Sequence, residues 1–209
     1  MNITLENIGR RFNREWIFRN INYTFHQGSS YAILGANWSG KSTLLSVIAG
    51  SLTPSQGHIF YEEKGEKIEV EDVFVKLSLA APYLELIEEY TLLEIIDFHF
   101  KFKSYQKGLA SSDIMDLLGL EKSKNKALKF FSSGMKQRTK LALAFCSNTP
   151  ILLLDEPTSN LDQKGVDWYY ELIQQFAKDR MLIICSNQEH EYHFCEQQIF
   201  VSDYKLQPN

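Results

Sequence analysis

The sequence predicts an α/β fold built on a mainly parallel sheet with helices on both faces. Three observations predict it. Short apolar runs at residues 30–34, 151–154 and 181–185 are too brief for helices and read as buried strands. Segments of helical character separate them. Glycine-containing turns, not long linkers, punctuate the chain. The 209 residues suit one domain, 1–209, with a helical stretch at about 82–132 inserted in its core.

The N-terminal residues 3–34 read as short strands and turns, with Ile21, Tyr23 and Phe25 alternating with polar positions. Residues 41–49 form a helix stopped by Gly50. Two β-like runs follow at 58–61 and 73–79, with a hairpin or loop over 62–72. Residues 92–102 and 112–118 are helical, the second capped by Ser112 or Asp113 and ended by Gly119. Helices are expected at 133–147 and 166–178, and a last strand at 198–201.

Composition narrows function. A net charge of −4 gives no bulk basic field for nucleic acid. The three cysteines, Cys146, Cys185 and Cys195, form no CxxC pair and read as buried thiols. The N-terminus lacks the apolar centre of a signal peptide, and no apolar run spans a bilayer, so action at a membrane requires docking onto another chain.

Gly35-Ala36-Asn37-Trp38-Ser39-Gly40-Lys41-Ser42 fits GxxxxGK[ST] between an expected strand and an expected helix, the setting of a P-loop. Gly35 and Gly40 let the backbone curl around phosphate, with Asn37, Trp38 and Ser39 between them. The helix that follows aims its positive end at the same anion. Lys41 is expected on the β- and γ-phosphates, Ser42 on Mg²⁺ and Thr43 on the α-phosphate. The strand 151–154 ends in Asp155 and Glu156. Asp155 is the expected Mg²⁺ ligand, directly or through water, and Glu156 the group that polarises the attacking water.

Residues 155–162, Asp-Glu-Pro-Thr-Ser-Asn-Leu-Asp, resemble the Walker B segment and D-loop of ABC ATPases, and the resemblance runs over nearly the whole chain. It implies a P-loop NTPase core with an N-terminal antiparallel β subdomain and an inserted helical subdomain. Phe131-Ser132-Ser133-Gly134-Met135 stands where that family carries its LSGGQ signature. By similarity, Ser132 and Gly134 contact the γ-phosphate held by a second protomer, although Ser132 also reads as a helix cap. Phe12, with Trp16 in reserve, stands where the family stacks adenine; core packing is the other reading of both.

Three positions depart from the family. Trp38 replaces a P-loop glycine; its indole must point away from the phosphates, or it crowds the nucleotide or the partner protomer. Ala81 stands nearest the usual Q-loop glutamine. Asn187 replaces the switch histidine; as a catalytic candidate it can hydrogen-bond the γ-phosphate but carries no charge. His190 and His193, just beyond, read as surface residues. The resemblance implies ATP and Mg²⁺ as ligands, a second ABC protomer and an integral membrane permease as partners, and a place on the cytoplasmic face of the membrane. It implies ATPase activity driving transport, and the three departures, with Glu156 intact, make that activity slow. Alternatives are a soluble ABC ATPase without a permease, and a subunit in which ATP acts only as a glue.

Overall fold

The computed structural model describes residues 1–205. β1 (Asn2–Phe12) and β2 (Glu15–His26) form a long antiparallel hairpin. β3 (Ser30–Leu34) leads into α1 (Lys41–Ile48). β4 (Gln56–Glu63) and β5 (Glu66–Ile68) form a second hairpin, and a 3₁₀ turn over Val70–Val75 leads to β6 (Leu77–Ala80). Then come α2 (Leu92–His99), α3 (Ser111–Leu118), α4 (Ser133–Cys146), β7 (Ile151–Asp155), α5 (Gln163–Phe176), β8 (Met181–Cys185), α6 (Glu189–Tyr192) and β9 (Gln197–Phe200).

The strands make two sheets: an antiparallel one in the order β2-β1-β4-β5, and a parallel one in the order β6-β7-β8-β3-β9. Strand periodicity divides the core. Ala32, Leu34, Leu152, Leu154, Leu182 and Ile184 face the inserted helices together with α4 and α5. Tyr31, Ile33, Ile151, Leu153, Ile183 and Cys185 face α1 and the antiparallel sheet. Buried on both faces, the central strands read as unbroken apolar runs. Their C-terminal ends share one edge: Ile33 and Asp155 both pair with Cys185. That edge is where open α/β sheets place ligands.

Several elements differ from the sequence reading. The N-terminal strands are longer than expected because register shifts absorb their irregular alternation. The run 73–79 is half 3₁₀ turn and half strand, and β5 lies within the polar stretch 62–72. α3 begins at Ser111, with Ala110 in the cap position; its backbone N–H donates to Asp113 Oδ2 at 2.6 Å. All three cysteines are buried thiols.

Arg180 ties the start of β7 to α4. It is 5% exposed and donates to Thr149 O at 2.8 Å, Thr149 Oγ1 at 2.6 Å and Phe145 O at 3.2 Å. Burial pulls its pKa down to about 10, with the neighbouring Cys146 acting in the opposite direction. Arg180→Leu strands those acceptors, and the expected loss is about 3 kcal/mol of unfolding free energy in urea titration. A loss below about 1 kcal/mol contradicts this account of the fork.

Candidate functional site

A cleft of about 650 Å³ opens at the shared strand edge, lined by Phe12, Ile17, residues 37–43 and Glu156. The backbone forms it. Gly40 precedes α1 at φ 106°, and a Cβ there would lie 2.3 Å from Ile17 Cγ2, so the site accepts only glycine. The first N–H groups of α1 have no intrahelical acceptor and open at this end. Lys41, 5% exposed, donates to Gly35 O at 2.7 Å and Ala36 O at 3.1 Å, which anchors the ammonium at the base of the loop. Ser39 is buried beside it, and Ser42 and Thr43 line the cleft.

Asp155 is 2% exposed, and neither carboxylate oxygen completes a hydrogen bond. Burial first, opposed by the hydroxyl of Ser42 and reinforced by the charge of Glu156, pushes its pKa up to about 6. A buried carboxylate without a partner, next to a serine hydroxyl, is a hard-oxygen donor set that fits Mg²⁺. Glu156 follows at φ 42°, a left-handed conformation that costs about 1–2 kcal/mol in a non-glycine residue. Its N–H donates to Cys185 O at 2.8 Å, which holds the turn against β8.

The structure brings most expected residues together. Phe12 lines the cleft 55% exposed, with the Arg10 guanidinium 5.0 Å from its ring centroid. Trp16 does not line it; its ring stacks with Arg19 at 4.7 Å. Asn187 reaches the P-loop, its Nδ2 donating to Asn37 Oδ1. Trp38 is 99% exposed at φ 64°, with its indole turned into solvent. Ser132 and Gly134 lie outside the cleft lining. Ser132 caps α4, its Oγ accepting from Met135 N at 3.2 Å. Gly134 is required by close packing, since a Cβ would meet Asn160 O at 2.9 Å.

Other residues escape sequence reasoning. Ala81 is fully buried, and Tyr83 stands beside the site in its stead. Tyr83 is half exposed; partial desolvation and the charge of Asp155 push its pKa up to about 12, with the nearby Ser46 hydroxyl acting in the opposite direction. Lys140 of α4 donates to Ala81 O and Pro82 O at 3.1 and 3.0 Å, and Gln137 to Pro157 O at 2.9 Å. One helix thus grips both the turn after β6 and the turn after β7. His190, expected at the surface, is half-buried with Nε2 3.0 Å from Thr158 Oγ1; His193 is exposed.

A family model described as "ABC transporter" matches residues 18–159. The Bacillus subtilis protein YybJ, an uncharacterized ABC transporter ATP-binding protein, is 33% identical over 90% of this chain and 86% of its own length. SrtF of Streptococcus pyogenes, a lantibiotic transport ATP-binding protein, is 30% identical over 88% of this chain and 79% of its own. The dimeric structure of MJ0796, described as a bacterial ABC transporter cassette, has the same fold, with a TM-score of 0.79 at 23% identity over 95% of this chain and 93% of that one.

The Asp155 environment sets a pH dependence. Its pKa rises from 3.8 to about 6 on folding. The folded state therefore favours the neutral acid, and the penalty grows as pH climbs from the unfolded through the folded value. It amounts to about 3 kcal/mol at pH 7.5 and under about 1 kcal/mol at pH 4. Asp155→Asn is expected to raise the melting temperature of ligand-free protein at pH 7.5 and to leave it nearly unchanged at pH 4. Equal shifts at both pH values contradict the assignment.

Proposed function

This chain belongs to the ABC transporter family, and from that premise we propose that it binds and hydrolyses Mg-ATP in a head-to-tail dimer to drive a separate membrane subunit. The observation that carries this reading is the unpartnered, buried carboxylate of Asp155 facing Ser42 at the foot of a helix N-terminus. The divalent cation that accompanies a triphosphate would supply the missing positive charge there.

Each residue has a part. Gly35, Asn37, Trp38, Ser39 and Gly40 present backbone to phosphate oxygens; Trp38 contributes its main chain, while its indole stays outside. Lys41 pairs the β- and γ-phosphates, and Thr43 meets the α-phosphate. Ser42 and Asp155 hold Mg²⁺, which when bound offsets charge on the transferred phosphoryl group. Phe12 stacks on adenine; its exposure and place in the cleft support it over Trp16. Glu156 accepts a hydrogen bond from the attacking water, which orients it and draws off its proton. Asn187, already bonded to Asn37, orients the γ-phosphate by hydrogen bonding.

A lone chain leaves Ser132 and Gly134 away from its own cleft, which supports their use by a second copy across a dimer seam. The dimeric arrangement of MJ0796 supports the same reading. None of the described helices is long and apolar enough to cross a membrane. In the transport reading an integral partner carries the membrane spans, with this chain on its cytoplasmic face. The transport named for SrtF supports that assignment over a soluble ABC ATPase. A neutral amide at 187 and a buried alanine at 81 leave fewer groups on the γ-phosphate, so turnover is slow.

Glu156→Gln keeps the cleft and removes the base. Steady-state phosphate release should fall about a hundredfold or more, while the ATP dissociation constant stays within about twofold. Light scattering in Mg-ATP should show the variant accumulating as a dimer. Turnover equal to that of the unaltered protein excludes Glu156 from this role, and an absence of turnover in both leaves the ATP-glue reading.

A further inference from the structure

Glu191 is fully buried in the short helix α6, and it forms none of the salt bridges among the described residues. Its side-chain partners are neutral donors from two segments. Oε1 accepts the backbone N–H of Thr158 at 2.7 Å and also the Thr158 hydroxyl. Oε2 accepts the hydroxyl of Ser186, whose oxygen in turn accepts Gln188 N–H at 2.9 Å. The Thr158 hydroxyl spends its only proton on Glu191, so His190 Nε2, 3.0 Å away, is the donor to Thr158 Oγ1. Tyr169 donates its hydroxyl to Glu191 O at 2.9 Å and fixes the helix from beneath.

The two segments are the ones that carry the reactive groups. Thr158 lies two residues after Glu156, and Ser186 immediately precedes Asn187. Glu156 holds a left-handed backbone, which persists only where its surroundings overdetermine it. The Cys185 carbonyl holds one side of that turn, and Glu191 holds the other through Thr158. A buried carboxylate without a cation is expensive, and apolar packing would stabilise the fold at least as well. Its hydrogen-bond geometry is what an apolar residue cannot supply.

We propose that Glu191 is a positioning residue for hydrolysis, clamping the turn after Glu156 to the turn bearing Asn187 so that carboxylate and amide face the γ-phosphate together. The proposal rests on the ATPase reading given above. Glu191 touches no reacting atom and acts through Thr158 and Ser186.

The test uses the full chain with Glu191→Ala, Glu191→Gln and Thr158→Val, each measured for Mg-ATP affinity, KM and kcat well below its melting temperature. Glu191→Ala is expected to lower kcat about tenfold or more, with KM and ATP affinity within about twofold, because the P-loop is untouched. Glu191→Gln is expected to restore kcat to within about threefold: its Oε1 accepts from both Thr158 groups and its Nε2 donates to Ser186 Oγ. Thr158→Val removes one bond of the clamp and should lower kcat in the same direction; it decides the matter if Glu191→Ala does not fold. In a Glu156→Gln background, Glu191→Ala should add no further loss.

Unchanged kcat in Glu191→Ala, or in Thr158→Val where the alanine variant does not fold, overturns the proposal, as does a parallel loss of affinity and kcat. A glutamine variant as slow as the alanine one does so too. If Glu156→Gln blocks turnover while these variants do not, this inference alone fails. If the unaltered chain has no turnover, the ATPase reading and the inference fall together.

Discussion

A carboxylate taken out of water with no hydrogen-bond donor on either oxygen is stable as an anion only when something positive meets it, and Asp155, at the end of an apolar strand, is that carboxylate here. Leu152, Leu153 and Leu154 bury the strand on both faces, and the main chain delivers the acid to the sheet edge with no freedom to turn back to solvent. Across Cys185, β3 delivers the P-loop to the same edge. The rest of the molecule holds these two strand ends in register, with a helix dipole and an ammonium group aimed into the gap between them.

That arrangement explains the two-layered core. α1 must stand with its N-terminus at the cleft, so it is packed between the parallel sheet and the antiparallel one, where Leu44, Leu45, Val47 and Ile48 are all fully buried. On the opposite face α4 does more than fill space. Its first turn presents Ser132 and Gly134, its middle holds Pro157 through Gln137, and Lys140 holds the turn at Ala81 and Pro82. One helix thus joins the turns after β6 and β7 to the inserted helical region that precedes it.

The parallel core and the nucleotide motifs are legible in the sequence for local reasons. Runs such as Ile151–Asp155 are apolar because both faces are covered, and glycine at 40 is demanded by its own backbone, which turns into the helix at φ 106°. What was not legible depends on distant partners. β5 is a polar segment, Glu66–Ile68, recruited by pairing with β4. Glu191 and His190 look like members of a charged surface helix until Thr158, more than thirty residues away, is folded against them. Tyr83 sits beside the site because β6 runs parallel to β7, a pairing no local pattern announces. The indole of Trp38 is exposed, and the left-handed backbone beneath it marks a position shaped for glycine.

The central claim is that a glycine-bent loop, the Lys41 ammonium and the Asp155 carboxylate form one triphosphate–metal site. Titration calorimetry of ATP into purified chain, with and without Mg²⁺, measures it directly when repeated on Lys41→Ala. The account predicts micromolar-range binding that Mg²⁺ strengthens, and a loss of at least about a hundredfold in the variant, roughly the worth of one buried charge-assisted contact. Heats of binding that are the same in both proteins, or no binding in either, would contradict it.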